Sequence, residues 1–316
     1  YESDVAGQIA LTDEVIARKP DGVIFIPTDE DALIESAKKM KAARIPYVCL
    51  DSDVNLDDGH VLIATDNFAA GQKAGKTLHA LTGGQGKIIV AAHSEISSTG
   101  RQRISGFFDG YGTGASALPV VYSDSVPENA YNGVYQLLTE HPDVTGIVGL
   151  NEPSTVGAVN AARDLGLLKN IHVVGFDSSF TEIKYLESGA VSAVVSQEPF
   201  NMGYLSLIAI CDILDDKKVK GNILTNTRVI TRENKITGEA QKDIHEKNET
   251  YLKAAYENAL HVCGHLGWNR VCCAENGKIK EITIGDFTIL NSLQFLNLFL
   301  LKTRTVFSQK KLPRQY

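Results

Sequence analysis

As far as about residue 230, short apolar runs alternate with longer stretches whose apolar residues recur at three- and four-residue spacing. The runs read as strands and the periodic stretches as helices. Gly22–Ile26, Pro46–Leu50, His60–Ala64, Lys87–Ala92 and Leu118–Tyr122 are the strands of the first part. Between them, Ser3 can cap a helix to Arg18, Thr28–Asp31 opens one to Ala43, and 67–81 and 101–111 are helical. The rhythm continues with helix 127–140, strand Gly146–Leu150, helix 153–165, strand His172–Phe176, a short helix at 181–187 and strand Val191–Val195. A helix at 202–214, a solvated turn at Lys217–Lys220 and a strand at Arg228–Ile230 close the series. Helix and strand in alternation, joined by short connections, predict an α/β fold with parallel sheets flanked by helices on both faces.

Several of these strands end on a polar side chain with no local partner. Gly146–Leu150 runs into Asn151 and Glu152, His172–Phe176 into Asp177, and Pro46–Leu50 into Asp51. The carboxyl ends of strands are where open parallel sheets bind ligands, so function is expected there.

Charge divides the chain unevenly. Of the net −7, the first 234 residues carry −11 and the remainder +4. An acidic main body argues against a nucleic-acid surface, and the change of sign marks a compositional break near residue 235. Cys49 and Cys211 stand singly inside apolar runs, as buried inert thiols do, whereas Cys263, Cys272 and Cys273 crowd into the tail. Those three with His265 lack the paired spacing of a zinc site, so no metal is expected. The first residues show no basic start or apolar core of a signal peptide and read as a helix entered part-way.

Two motifs invite a phosphate-binding reading and fail it. Gly71–Thr77 has three residues between its glycines where a phosphate loop needs four, and it lies inside a helix. Gly83–Gly86 precedes a strand and is a turn. No catalytic motif and no cofactor-binding motif appears, so catalytic residues, cofactor and metal are all expected to be none.

Pro20–Asp29, Ile45–Asp51, Ala64–Asn67, Arg101–Phe107, His141–Asp143, Val173–Asp177 and Ser196–Gln197, in this order and register, resemble the periplasmic sugar-binding proteins of the ribose-binding type. The likeness covers about residues 2–233, and these are the solute-binding proteins of ABC importers. It implies a two-lobed type I periplasmic-binding-protein fold with its amino-terminal unit missing and an extra C-terminal tail. Lobe one would hold 1–65 and 198–227, and lobe two 66–197 and 228–235, the chain crossing the hinge three times. The ligand-binding residues it implies are Asp51, Arg103, Asn151, Asp177 and Gln197. The partners it implies are a monosaccharide and the importer's membrane subunits, outside the cytoplasm.

The chemistry of these side chains agrees. Each sugar hydroxyl is both donor and acceptor, so carboxylates that accept, a guanidinium that donates and amides that do both suit a ring of hydroxyls. Three positions depart from the resemblance. The absent first unit usually supplies an Asn and stacking aromatics, Ser52 stands where ribose binders carry Arg, and Ser125 stands near where an aromatic is expected, with Tyr122 or Tyr131 as replacements. The effector domain of a LacI-type transcription regulator shares the fold and the sugar chemistry and is the alternative. A basic helix-turn-helix before Tyr1 would mark a regulator, and an export signal an importer protein.

Residues 236–316 form a tail foreign to this resemblance. The stretch to about 282, with Asp243–Glu246, resembles the C-terminal end of bacterial thymidylate kinases, without their phosphate loop, so kinase activity is not implied. It reads as an amphipathic helix through Leu266, a strand at 267–273 and a turn at 275–278. Residues 283–316 carry no resemblance that names a family; Phe287–Leu301 is too short and too interrupted by Asn, Ser and Gln to span a bilayer and reads as a sticky helix or an accident of translation. Together these features suggest a chimeric or misassembled reading frame.

Overall fold

A computed structural model describes residues 4–113, 116–219 and 221–235, together with the backbone of three strands at 270–275, 278–282 and 286–290. The elements run α1 (Val5–Ala17), β1 (Val23–Phe25), α2 (Ile34–Ala42), β2 (Tyr47–Leu50), β3 (Val61–Thr65), α3 (Asn67–Thr82), β4 (Lys87–Ala92) and α4 (Ser98–Tyr111). They continue with β5 (Ser116–Ala117), β6 (Val121–Tyr122), α5 (Pro127–Glu140), β7 (Val144–Gly149), α6 (Glu152–Asp164), β8 (His172–Phe176), α7 (Phe180–Ser188) and β9 (Ala193–Ser196). The last are α8 (Pro199–Leu214), β10 (Ile223–Thr225), β11 (Arg228–Thr231), β12 (Arg270–Glu275), β13 (Lys278–Ile282) and β14 (Asp286–Leu290).

Two sheets result. The first has strand order β10-β3-β2-β1-β14-β12-β13, and the second β11-β9-β8-β7-β4-β5, with β6 also on β4. Strands β1, β2 and β3 are buried at every residue, the mark of parallel strands covered on both faces. Because side chains alternate across a strand, each sheet feeds two cores. In the first sheet, Ile24, Val48 and Leu50 pack with Met202 and Ile210 of α8, while Phe25, Cys49 and Leu62 pack with Val15 of α1 and Met40 of α2. In the second, Ile89, Ile147 and Val173 meet α5 and α6, and Val90, Val148 and Val174 meet α3 and α4.

The chain passes between the sheets at four places: after β3, after β9, between β10 and β11, and between β11 and β12. Only two residues separate β10 from β11, so the chain runs straight on from the first sheet into the second, where β11 pairs antiparallel with β9. This edge departs from the all-parallel expectation.

Helices α3 and α4 lie against each other through glycine. A Cβ on Gly71 would collide with the Arg103 carbonyl oxygen and one on Gly75 with that of Phe107, while Gly106 and Gly110 meet the α3 backbone in return. The stretch that mimics a phosphate loop is therefore a helix-packing surface that sets the height of α4.

Local signals shift three boundaries. Asp29 Oδ1 accepts from the amides of Asp31 and Ala32, making a turn where a helix start is expected, so α2 begins only at Ile34. Ser97 caps α4 by accepting from Gly100 N, which starts that helix three residues before Arg101. Asp4 caps α1 through Gly7 N; Ser3 lies outside the described residues. In the tail, β12 and β13 form an antiparallel hairpin where a strand and turn are expected. Phe287–Leu290 is strand rather than helix: β14 lies parallel to β1, with Ile24 opposite Ile289. β1 presents an edge beside a fully apolar strand, and the sequence Phe-Thr-Ile suits a strand better than a helix. The expected helix through Leu266 and the remainder of 291–316 lie outside the described residues. Among the described residues no helix is long and apolar enough to cross a membrane.

Candidate functional site

Two carboxylates are set by the same local device. Asp51 and Asp177 each follow the last residue of a strand, β2 and β8, and each donates its amide to the neighbouring strand, to Ile63 O and Val195 O, both at 2.8 Å. Each then takes a left-handed backbone, with φ of 66° and 85°. Aspartate tolerates that region better than most residues, and the reversal turns the side chain off the sheet at its carboxyl end. Strained backbone of this kind persists where the surroundings over-determine it, and it concentrates at ligand sites.

Arg103, in the second turn of α4, is 4% exposed and bonded through all three of its nitrogens. Its Nε donates to Asn67 Oδ1 (2.8 Å), Nη1 to the Leu150 carbonyl (2.9 Å) and Nη2 to Gln197 Oε1 (2.8 Å), and its guanidinium carbon stands 4.1 Å over the Phe176 ring. Gln197 completes the connection. Its Oε1 also accepts from Thr65 Oγ1 (2.8 Å), and its Nε2 donates to Asp177 Oδ1 (2.5 Å). The other Asp177 oxygen accepts from Glu152 N (3.1 Å) at the amino end of α6, where the helix dipole favours an anion. Charge-assisted bonds of this type are the strong ones, and their mutual polarisation stiffens the group.

Asp51 faces this network from the first sheet. Burial raises its pKa above the ordinary carboxylate value, the Arg103 charge pulls it down and Asp177 pushes it up, with a net rise. The structure thus brings Asp51, Arg103, Asp177 and Gln197 together at the carboxyl ends of both sheets.

Asn151 belongs to the same rim with its polar atoms already employed. It caps α6, accepting from Ser154 N at 3.1 Å, and its Nδ2 donates to Ser125 Oγ at 2.9 Å. Ser125 is therefore a partner of Asn151, in a turn with φ of 54°, instead of a stacking surface. Ser52 carries no charge to the cleft; its Oγ lies 3.5 Å from Thr99 Oγ1 of α4.

Around the rim the two units touch. Asp53 N donates to Ser98 Oγ (2.9 Å), Glu30 N to the Ile96 carbonyl (3.4 Å), and Arg101 pairs with Glu30 and lies 3.7 Å from Asp31. This is a closed arrangement, with the amino end of α4 held by loops of the first sheet.

Sequence reasoning overlooks Asn67, Thr65 and Phe176, each of which fixes Arg103 or Gln197, because their roles depend on partners far along the chain. It also passes over His93, although the signal was available: His93 is the first polar residue after β4, the criterion that selects Asp51 and Asp177.

Among the described residues one group of metal-ligand types occurs, with donor atoms of Cys49, Asp53 and His60 all within 4.8 Å of one another. Hydrogen bonds already account for it. His60 Nδ1 meets Asp58 (2.7 Å), Nε2 meets Asp53 (2.8 Å), and the ring stacks on Tyr47 at 5.4 Å. Burial works to lower the His60 pKa, but the bonds from Asp53 and Asp58 outweigh it and raise it; burial, with the Asp53 and Asp58 charges adding to it, pushes the Cys49 thiol well up.

The sequence of residues 2–218 matches the family model of the periplasmic binding protein domain. The chain is 27% identical over 234 residues to the ribose import binding protein of Bacillus subtilis, covering 73% of this chain and 75% of that protein. Among solved structures, an ABC transporter solute-binding protein from Agrobacterium vitis with bound D-fucose superposes with a TM-score of 0.75 at 30% identity, over 77% of this chain and 86% of that one. A carbohydrate transporter solute-binding protein from Agrobacterium radiobacter, in complex with D-arabinose, gives 0.73 at 26% identity, over 77% and 85%. Two sheet units with carboxylates at their facing strand ends, matched by sequence over most of their length, place this chain in the periplasmic binding protein family, with the type I α/β fold of that family.

Proposed function

We propose that the protein binds one monosaccharide, a pentose or hexose, between two hinged lobes and delivers it to the membrane subunits of an ABC importer, outside the cytoplasm. It performs no catalysis, as the family is one of binding proteins. The observation that carries the reading is the buried Arg103–Gln197–Asp177 network on one side of the cleft, with Asp51 opposite. The relatives' ligands support it: ribose, D-fucose and D-arabinose are neutral polyols of one size class. Those relatives are import proteins, which favours transport over the regulator alternative.

In this reading, 1–65 and 198–227 make one lobe, and 66–197 and 228–235 the other. Asp51 accepts sugar hydroxyls from the first. From the second, Asp177 accepts, Arg103 donates, Gln197 spans the hinge and Asn151 donates with its remaining amide hydrogen. Ligand contacts to both lobes offset the cost of fixing their angle. The tail segment that resembles the end of thymidylate kinases receives no catalytic role.

Calorimetric titration of the chain with a panel of pentoses and hexoses tests the proposal. Binding of at least one sugar that is abolished by Asp177→Ala and by Arg103→Ala is the expected result. Parent-like affinity in both variants would overturn the site.

A further inference from the structure

His93 is held on one side and unmet on the other. It stands at the carboxyl end of β4, next but one in the sheet to β8, whose own end carries Asp177, and is 7% exposed. Its Nε2 lies 3.0 Å from Thr99 Oγ1 and 3.1 Å from Ser97 Oγ, so the ring is anchored to the first turn of α4. Its Nδ1 is buried without any hydrogen bond. A buried polar atom left unpaired costs of the order of 1–3 kcal/mol, and native structures seldom keep one without a reason.

Two neighbours place the ring at the cleft. Thr99, which holds Nε2, also lies 3.5 Å from Ser52, the residue after Asp51, so the imidazole is one side chain away from the seam between the sheets. The Arg103 guanidinium is close enough to act on it. Burial, with that charge second, lowers the imidazole pKa to about 3, and the ring is neutral at any ordinary pH. A neutral imidazole whose Nε2 is satisfied by hydroxyls leaves Nδ1 with one lone pair or one N–H, according to tautomer. A sugar hydroxyl can answer either.

We propose that His93 is a specificity-determining contact of the sugar site, its Nδ1 hydrogen-bonding one ring hydroxyl and so selecting among epimers. The inference deepens the monosaccharide reading and rests on it. Ser97 and Thr99 hold the angle of the ring, and the ring fills space that a smaller residue would leave to a bulkier ligand. Discrimination follows because an epimer that turns its hydroxyl away leaves Nδ1 buried and unmet, whereas a site lined only by apolar groups would barely notice.

The test is calorimetry on the full chain with its best-binding sugar and the monodeoxy analogues of that sugar. His93→Phe, which keeps a ring and removes the nitrogens, is expected to lose about tenfold or more in affinity for the parent sugar. For one monodeoxy analogue, and for no other, parent and variant bind equally. His93→Asn, whose amide reaches the Nδ1 position, restores most of the affinity, and His93→Gln, which mimics Nε2, does not. A loss of equal size for every sugar and analogue overturns the inference and leaves the sugar site standing, as does unchanged affinity in His93→Phe. If the parent chain binds no sugar of the panel, the cleft reading itself fails and takes this contact with it.

Discussion

The two walls of the cleft are built differently. On the second-sheet side, Arg103, Asn67, Gln197, Asp177 and the amino end of α6 hold one another before any ligand arrives. On the first-sheet side, Asp51 stands on a left-handed turn with no side-chain hydrogen bond to any described residue. One wall is preorganised and the other brings a single carboxylate to it on closure. A braced wall should couple ligand binding to folding stability; an unbraced residue should affect binding alone.

Removing the brace gives the largest expected effect. Arg103→Ala takes their donor from the Asn67 and Leu150 oxygens, leaves the Gln197 oxygen with Thr65 alone, and removes the positive charge that faces Asp51. Each buried acceptor left unpaired in this way costs about 1–3 kcal/mol. Sugar binding and thermal stability should fall together, and a parent-like melting temperature would show that the wall is not braced. Next in size is Gly75→Leu, which drives α3 and α4 apart at the Phe107 carbonyl; overpacking of this kind costs about 1–3 kcal/mol or more. It should weaken sugar binding through Arg103 while touching no ligand, as titration and melting on the same sample would show.

Asp51→Asn should separate the two walls cleanly. It keeps a residue that accepts the left-handed turn and removes one charge-assisted acceptor, so affinity should drop by about 10- to 100-fold, in line with roughly 1.5–3 kcal/mol for such a bond. Apo stability should not fall. Because the folded pKa of Asp51 is raised, the folded state holds its proton more tightly than the unfolded chain, and stability is lost as pH rises through that window. The variant should therefore melt slightly higher than the parent at pH 7, and the gain should vanish below pH of about 4, near the ordinary carboxylate value. Melting curves at both pH values check the sign.

The rim offers smaller tests. Arg101→Ala removes exposed pairs with Glu30 and Asp31 that join the units, worth about 0.2–1 kcal/mol, so affinity should fall only a few-fold and less so at high salt. The His60 cluster acts through pH. With its folded pKa raised, His60 contributes fully below about pH 6.5, and the contribution fades as pH rises through the folded value. Asp58, whose bonds from His60 outweigh burial and lower its pKa, contributes above the ordinary carboxylate value and loses that contribution as pH falls through its own folded value. His60→Gln should flatten the alkaline side of the stability profile; an unchanged alkaline limb would show the pair to be idle.

Much of this was readable in advance. Asp51 and Asp177 stand out because an apolar strand ends on each of them, and their turn conformation follows from that place. Arg103 is less legible: on sequence it could equally pair on the surface, and what buries it is the glycine contact of α3 with α4. Asn151 shows the limit of type-based reasoning, since its amide is committed to capping α6 and to Ser125. β10 and β14 escaped because short strands carry little periodicity and take their state from the edge they join.

The sequence alone determined the alternation of strands and helices, because strands buried on both faces must be apolar throughout and must end where polar residues begin. That rule places every candidate except Arg103, which lies in α4, at or just past a strand's carboxyl end. Only the tertiary structure decided which of them meet. The acceptors of Arg103 lie 36, 47 and 94 residues away, and no local pattern encodes a hydrogen bond over such separations; the packing of α3 and α4 on the second sheet brings them within 3 Å. The same packing left Nδ1 of His93 unmet, and that vacancy is visible only once its neighbours are in place.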